Sequence, residues 1–177
     1  QLTFQQLKRA AEVLFADRHI RQIYGGRVKI SFTGGEPLLE FGLIKKAVRY
    51  ISARYPGCEF AIATNGTLLT GDVLEFCARN KVGISVSLDG YNKVNDSHRK
   101  FAGGGSAFRL VEGNLRRGLA RDKHRGLFHV AATLTSRTIG RLPEVVRYFR
   151  RESGFNELEL ALEAYETWGK DDRARLR

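Results

Sequence analysis

The chain has 177 residues, 30 Lys+Arg against 19 Asp+Glu for a formal charge of +11, 42% hydrophobic residues, 2 Cys and no Met. That length supports one domain and little more, and the composition is that of an ordinary globular chain rather than a disordered or collagenous one. No apolar run approaches the ~18 residues of a membrane span, and Cys58 and Cys77 are too few for a zinc site, an iron–sulfur cluster or a disulfide framework.

The predicted elements alternate between two periods. Thr3 with Gln6 reads as a capping box, and Phe4, Leu7, Ala11 and Leu14 recur at helical spacing, so an amphipathic helix rather than a signal peptide opens the chain. Val28-Lys-Ile-Ser-Phe32 alternates as a strand and stops at Thr33-Gly34-Gly35. Ile44, Ala47, Val48 and Ile51 then mark a helix up to Pro56-Gly57. Phe60–Thr64 is a second strand ended by Asn65-Gly66, followed by Thr70 as N-cap and the helical set Val73, Leu74, Cys77 and Ala78. Val82–Val86 is a third strand. After a loop holding Gly103-Gly104-Gly105, Ser106 is expected to cap a helix bearing Phe108, Val111, Leu115 and Leu119. Leu127–Thr133 is a fourth strand, and Leu142, Val145, Val146 and Phe149 give a helix with Gly154 as its expected stop. Leu158–Leu162 is a fifth strand, and the tail Trp168–Arg177 reads as a loop or the start of another helix.

Strands alternating with helices, without hairpin signals, predict parallel pairing and an α/β fold, either a barrel or a doubly wound sheet. In both, ligands gather at the carboxyl ends of the strands. Three successive strand ends carry Thr33-Gly34-Gly35-Glu36-Pro37, Thr64-Asn65-Gly66 and Ser85-Val86-Ser87-Leu88-Asp89-Gly90. Glycines there permit close backbone approach, and Pro37 biases Glu36 toward an extended backbone that would project its carboxylate across the mouth of a barrel. Such a carboxylate can accept hydrogen bonds from a ligand ammonium, although taken alone a surface turn leading into a helix explains the string slightly better.

In order and together, Phe32-Thr33-Gly34-Gly35-Glu36-Pro37-Leu38-Leu39, Ala63-Thr64-Asn65-Gly66-Thr67 and Val86-Ser87-Leu88-Asp89-Gly90 closely resemble the radical S-adenosylmethionine (SAM) superfamily. The resemblance is to its peptide- and protein-modifying branch, which includes the anaerobic sulfatase-maturating enzymes of the SPASM type. Asn95-Asp96-Ser97-His98-Arg99 and Gly104-Gly105-Ser106-Ala107-Phe108 resemble a further segment of that branch, with Asn95 where His is usual.

The resemblance implies a partial (βα)6 TIM-like barrel of parallel strands, with residues 1–177 as its core domain. It also implies that Gly34, Gly35, Glu36 and Pro37 form the motif that holds the methionyl amino group of SAM. Thr64, Asn65 and Ser87 fall at positions that contact its carboxylate or ribose. Arg99 pairs with the SAM carboxylate or orders its own loop. Asp89 contacts a ligand or, as the better reading, serves the turn. The family's [4Fe–4S] cluster is held by a Cys-x-x-x-Cys-x-x-Cys loop after a first strand. Neither has a counterpart here, and the Gln1 start and lack of Met likewise predict a fragment truncated at both ends, inactive by itself.

In an intact enzyme the resemblance implies electron transfer from the reduced cluster to SAM, breakage of the S–C5′ bond and hydrogen abstraction from a peptide or protein. A non-catalytic module of the same fold, recognising a peptide or other partner, is the alternative, and a phosphate-binding barrel a weaker third. Cys58 and Cys77 read as small hydrophobes rather than metal ligands. His19, His98, His124 and His129 lack metal-ligand spacing. No Gly-x-Ser-x-Gly elbow supports a hydrolase, and no phosphate-loop lysine follows Gly103–Gly105. The basic clusters Arg116, Arg117, Arg121, Lys123, Arg125 and Arg147, Arg150, Arg151 fit a solvated outer face better than a nucleic-acid surface. They could also attract an acidic leader peptide or a flavodoxin- or ferredoxin-like electron donor. A reduced cytoplasmic setting is expected from the cysteine usage.

Overall fold

A computed structural model describes residues 2–17, 28–101, 103–121, 126–153 and 158–163. The elements in chain order are α1 (Phe4–Ala16), β1 (Lys29–Phe32), α2 (Phe41–Arg54), β2 (Glu59–Thr64), α3 (Gly71–Asn80) and β3 (Val82–Ser87). They continue with α4 (Asn92–Asn95), α5 (Phe108–Leu119), β4 (Phe128–Leu134), α6 (Leu142–Tyr148) and β5 (Leu158–Leu162). The five strands form one parallel sheet in the order β1-β2-β3-β4-β5. A doubly wound sheet reverses its strand order at a switch point, whereas an unbroken sequential order keeps every crossover of one hand on the same face. The sheet is therefore an arc of a (βα) barrel, which decides between the two architectures that periodicity left open.

Local chemistry explains several element ends. Thr3 caps α1 as expected: its Oγ1 accepts the Gln6 N–H at 3.3 Å while the Gln6 side chain accepts the Thr3 N–H at 2.9 Å. Thr70 caps α3 through the Val73 N–H, and Lys81 closes it in the left-handed conformation at φ 52°. The expectation for Ser106 fails. Ala107 occupies the N-cap of α5 without a side-chain bond, and the Phe108 N–H instead donates to Asp96 Oδ1 at 3.2 Å. Asp96 is supplied by the end of α4, a short helix that leaves no apolar periodicity of its own.

The helix predicted around Leu142–Phe149 is α6, which loosens into a π turn over Phe149–Ser153. The expected stop at Gly154 lies outside the described residues, as do the tail from Trp168, His19, His124, Lys123 and Arg125.

Alternation of side chains along the strands separates two faces. Val82, Ile84 and Val86 on β3 and Phe128, Val130 and Ala132 on β4 are buried under the helices, in one core with Ile44, Val48, Ile51, Leu74 and Leu115. Burying one such aliphatic side chain contributes about 1.5–3 kcal/mol. The intervening residues are small or polar and only half-buried: Gly83, Ser85 and Ser87 on β3, His129, Ala131 and Thr133 on β4. The register pairs Ser85 with His129 and Ser87 with Ala131, so His129 lines the concave face of the arc.

Candidate functional site

The carboxyl ends of β1 and β2 meet at Glu36. Its backbone is extended, φ −140° and ψ 103°, as the following proline dictates, and it caps a single 3-10 turn over Pro37–Glu40. The side chain accepts three hydrogen bonds. Oε1 takes the Leu38 N–H at 3.1 Å and the Thr64 hydroxyl at 2.8 Å, and Oε2 takes the Asn65 N–H at 2.9 Å. A carboxylate offers about four lone-pair directions, so these donors orient the group and leave one direction on Oε2 for another donor. Thr64 Oγ1 also accepts the Gly66 N–H at 3.1 Å, and the Asn65 side chain accepts both the N–H and the hydroxyl of Thr67 at 2.9 and 2.7 Å.

Two clefts open beside this junction. One of about 520 Å³ follows Thr33–Pro37 and is otherwise walled by Ser31, Glu40 and apolar side chains including Leu2, Leu7 and Leu43. A Cβ added at Gly34 or Gly35 would meet no heavy atom within 4 Å, so both glycines leave that wall bare. The other cleft, about 280 Å³, is lined by Asn65, Thr67, Ser87, Arg99, Lys100 and Phe101 with apolar backing from Ala107 and Val111. The Glu36–Asn65 bond joins the two walls. An acceptor for a cation thus adjoins a cleft bearing two cationic side chains, an arrangement complementary to a zwitterionic amino-acid group.

Asp89 and Arg99 face each other. The carboxylate is buried, at 3% side-chain exposure, and takes Arg99 Nε at 2.8 Å and Nη2 at 3.0 Å as a bidentate pair; Oδ1 also accepts the Thr133 N–H at 2.9 Å. The Asp89 N–H donates to Asn95 Oδ1 at 3.2 Å. Asp89 therefore ties the end of β3 to β4 and to the loop after α4, while Arg99 keeps Nη1 outside the pair. Through this pair Arg99 fastens its own loop to the end of β3.

Three participants were given no role at the site by sequence reasoning. Asn95 is 1% exposed and carries the Asp89 amide. His98 Nε2 lies 3.2 Å from the hydroxyl of Thr135, which is itself 3.1 Å from that of the buried Thr138. Asn114, 4% exposed, donates from Nδ2 to the carbonyls of Gly66 at 2.9 Å and Thr67 at 3.1 Å. Asn95 and His98 fall in a segment that resembles the family without a role of their own in it, and Asn114 leaves a signal as a polar residue on the helical stripe between Val111 and Leu115.

The two cysteines do not fit an iron–sulfur cluster at this site. Cys58 precedes β2, roughly 20 Å along the strand from Thr64 at ~3.3 Å per residue, and Cys77 is buried in α3. Burial pushes the Cys77 thiol up to about 12, and burial reinforced by the Glu59 charge pushes Cys58 up to about 11, so neither is a ready thiolate ligand. Among the described residues no cluster of three or more His, Cys, Asp and Glu side chains is placed to hold a metal ion. No helix among them is long and apolar enough to cross a membrane.

Comparison with known proteins agrees with this fold. The radical SAM superfamily profile matches residues 5–149. A cysteine-type anaerobic sulfatase-maturating enzyme of Clostridium perfringens is 27% identical over 131 residues, 72% of this chain and 35% of that protein. A serine-type counterpart from Bacteroides thetaiotaomicron is 35% identical over 89 residues, 49% of this chain and 22% of that protein. Among solved structures, native anSMEcpe with bound AdoMet and Cp18Cys peptide superposes with a TM-score of 0.73 at 25% identity, over 85% of this chain and 44% of that one. The chain thus spans between about a fifth and under half the length of these relatives.

Proposed function

The chain belongs to the radical SAM superfamily, and we propose that its strand-end site binds S-adenosylmethionine within an enzyme that modifies a peptide or protein. The observation that carries this reading is the Glu36 carboxylate, held by Leu38, Thr64 and Asn65 with one acceptor direction left. That direction suits the ammonium of the methionyl group, a charge-assisted bond that a neutral acceptor would make more weakly. Gly34, Gly35 and Pro37 shape the approach to it. Asn65 and Ser87 supply polar contacts for the carboxylate or ribose, and Arg99, anchored by Asp89, adds positive charge beside them. Asp89 acts on Arg99 and the β4 backbone rather than on the ligand.

When bound, S-adenosylmethionine supplies the hydrogen-abstracting power of this reaction class. The protein's own residues then have to orient it and keep water from the reacting end, and the small side chains of the concave face leave room there for a substrate segment. The [4Fe–4S] cluster of the class would take its ligands from residues other than Cys58 and Cys77. The solved relative with both AdoMet and a peptide bound supports a peptide or protein as substrate. The net charge of +11 suits an acidic electron donor of the flavodoxin or ferredoxin kind, and unpaired thiols suit a reducing cytoplasm.

Equilibrium binding of S-adenosylmethionine to the wild-type chain and to Glu36→Ala tests the reading. Saturable binding that weakens between about tenfold and a hundredfold in the variant is expected from loss of a charge-assisted hydrogen bond. Equal affinity in the two proteins would remove Glu36 from the site.

A further inference from the structure

The aim of the Glu36 carboxylate depends on where the loop after β2 sits, because one of its three donors is the Asn65 N–H of that loop. Beyond Thr64 the chain leaves the sheet and turns at Gly66, with φ 78°. The carbonyls of Gly66 and Thr67 then find their partner on a different element. Asn114 on α5 reaches across and donates to both, at 2.9 and 3.1 Å. It occupies a place on the buried stripe where the helical period calls for an apolar side chain, and at 4% exposure an amide there depends wholly on protein partners. Its remaining acceptor is used as well, since Arg117, on the next turn of α5 and itself exposed, donates to Asn114 Oδ1. That bond settles which end of the amide faces the loop.

These contacts form one relay, from Arg117 to Asn114, to the Gly66 and Thr67 carbonyls, and through the Asn65 N–H to Glu36. We infer that Asn114 is a positioning residue for the Glu36 ligand site, with Arg117 fixing the orientation of its amide. The mechanical part stands on this geometry alone, while its effect on S-adenosylmethionine binding rests on the function proposed above.

Amide hydrogen exchange by NMR on the whole chain separates the two. Asn114→Asp preserves size but turns the donor into an oxygen facing two carbonyls. It should raise Asn65 exchange by about tenfold relative to Val86 and Val130 and weaken S-adenosylmethionine binding by a similar factor. Arg117→Met, which removes the donor at an exposed position that does not threaten folding, should shift both in the same direction by about threefold, and it carries the test if Asn114→Asp does not fold. Ile51→Val, a core change remote from the loop, should leave the ratio of Asn65 to Val86 exchange unaltered, which distinguishes positioning from general destabilisation. Asn65 exchange equal to wild type in Arg117→Met would overturn the inference whatever the ligand. If Asn65 responds as stated while Glu36→Ala binds S-adenosylmethionine normally, the positioning role stands and the ligand assignment falls.

Discussion

Replacing Gly66 by alanine should damage the fold and the site together, by an amount that the structure allows to be worked out. Gly66 lies at φ 78°, a conformation that costs an L-residue about 1–2 kcal/mol. The added Cβ would stand 2.9 Å from Val111 Cγ1 and 3.0 Å from Val86 Cγ1, inside van der Waals contact with two buried and conformationally stiff side chains. Overpacking of that kind costs about 1–3 kcal/mol, and reduced freedom of the unfolded chain returns under 1 kcal/mol, for a net loss of about 2–4 kcal/mol. In a chain of this size that lowers the thermal midpoint by about 5–15 °C, measurable by calorimetry or by far-ultraviolet circular dichroism. Gly35→Ala is the internal control, because its Cβ meets nothing within 4 Å. It should melt within about 2 °C of wild type while obstructing the ligand's approach to Glu36. A Gly66→Ala protein that melts with the Gly35→Ala control would refute the packing argument.

Two further measurements bear on a helix cap and on a buried thiol. Asp96→Ala should cost about 1 kcal/mol and lower the midpoint by about 2–4 °C, because it frees the Phe108 N–H at the start of α5. Ser106→Ala should be silent, and the reverse order of effects would restore Ser106 as the cap. Cys77 predicts a pH dependence: its folded thiol is pushed up to about 12 from an ordinary 9.0. The folded state therefore holds a proton that the unfolded state releases first, so this stabilisation is complete below about pH 9 and is lost as pH rises toward 12. Urea melts at pH 8, 9 and 10 should show wild type losing stability with pH more steeply than Cys77→Ala, by up to about 1.4 kcal/mol per unit; parallel slopes would contradict it.

The strands and the amphipathic helices were legible because each depends on near neighbours in the chain. The apolar period sets the buried faces of α2, α3 and α5, and the capping box at Thr3 closes over three residues. The Glu36 backbone follows from Pro37 alone. The cap of α5 was misread because its true partner, Asp96, lies 12 residues away and is brought there by α4, four residues with no periodic pattern to detect. Asn114 and Asn95 were invisible as site residues for a related reason. A buried amide is tolerable only when distant backbone groups pair with it, and those partners are assigned by packing.

What the sequence determined by itself is the set of parts: a βα alternation, glycines and a carboxylate at successive strand ends, and motifs ordered well enough to resemble one superfamily. The tertiary structure alone decided how those parts engage. It selected a barrel arc through the unbroken strand order, seated the Glu36 carboxylate on donors from β2, and closed Asp89 onto Arg99. Local pattern carries the first kind of information because backbone periodicity and capping act over a few residues. Hydrogen bonds between strand ends act over 28 residues from Glu36 to Thr64 and 44 from Asp89 to Thr133, so only the assembled sheet establishes them.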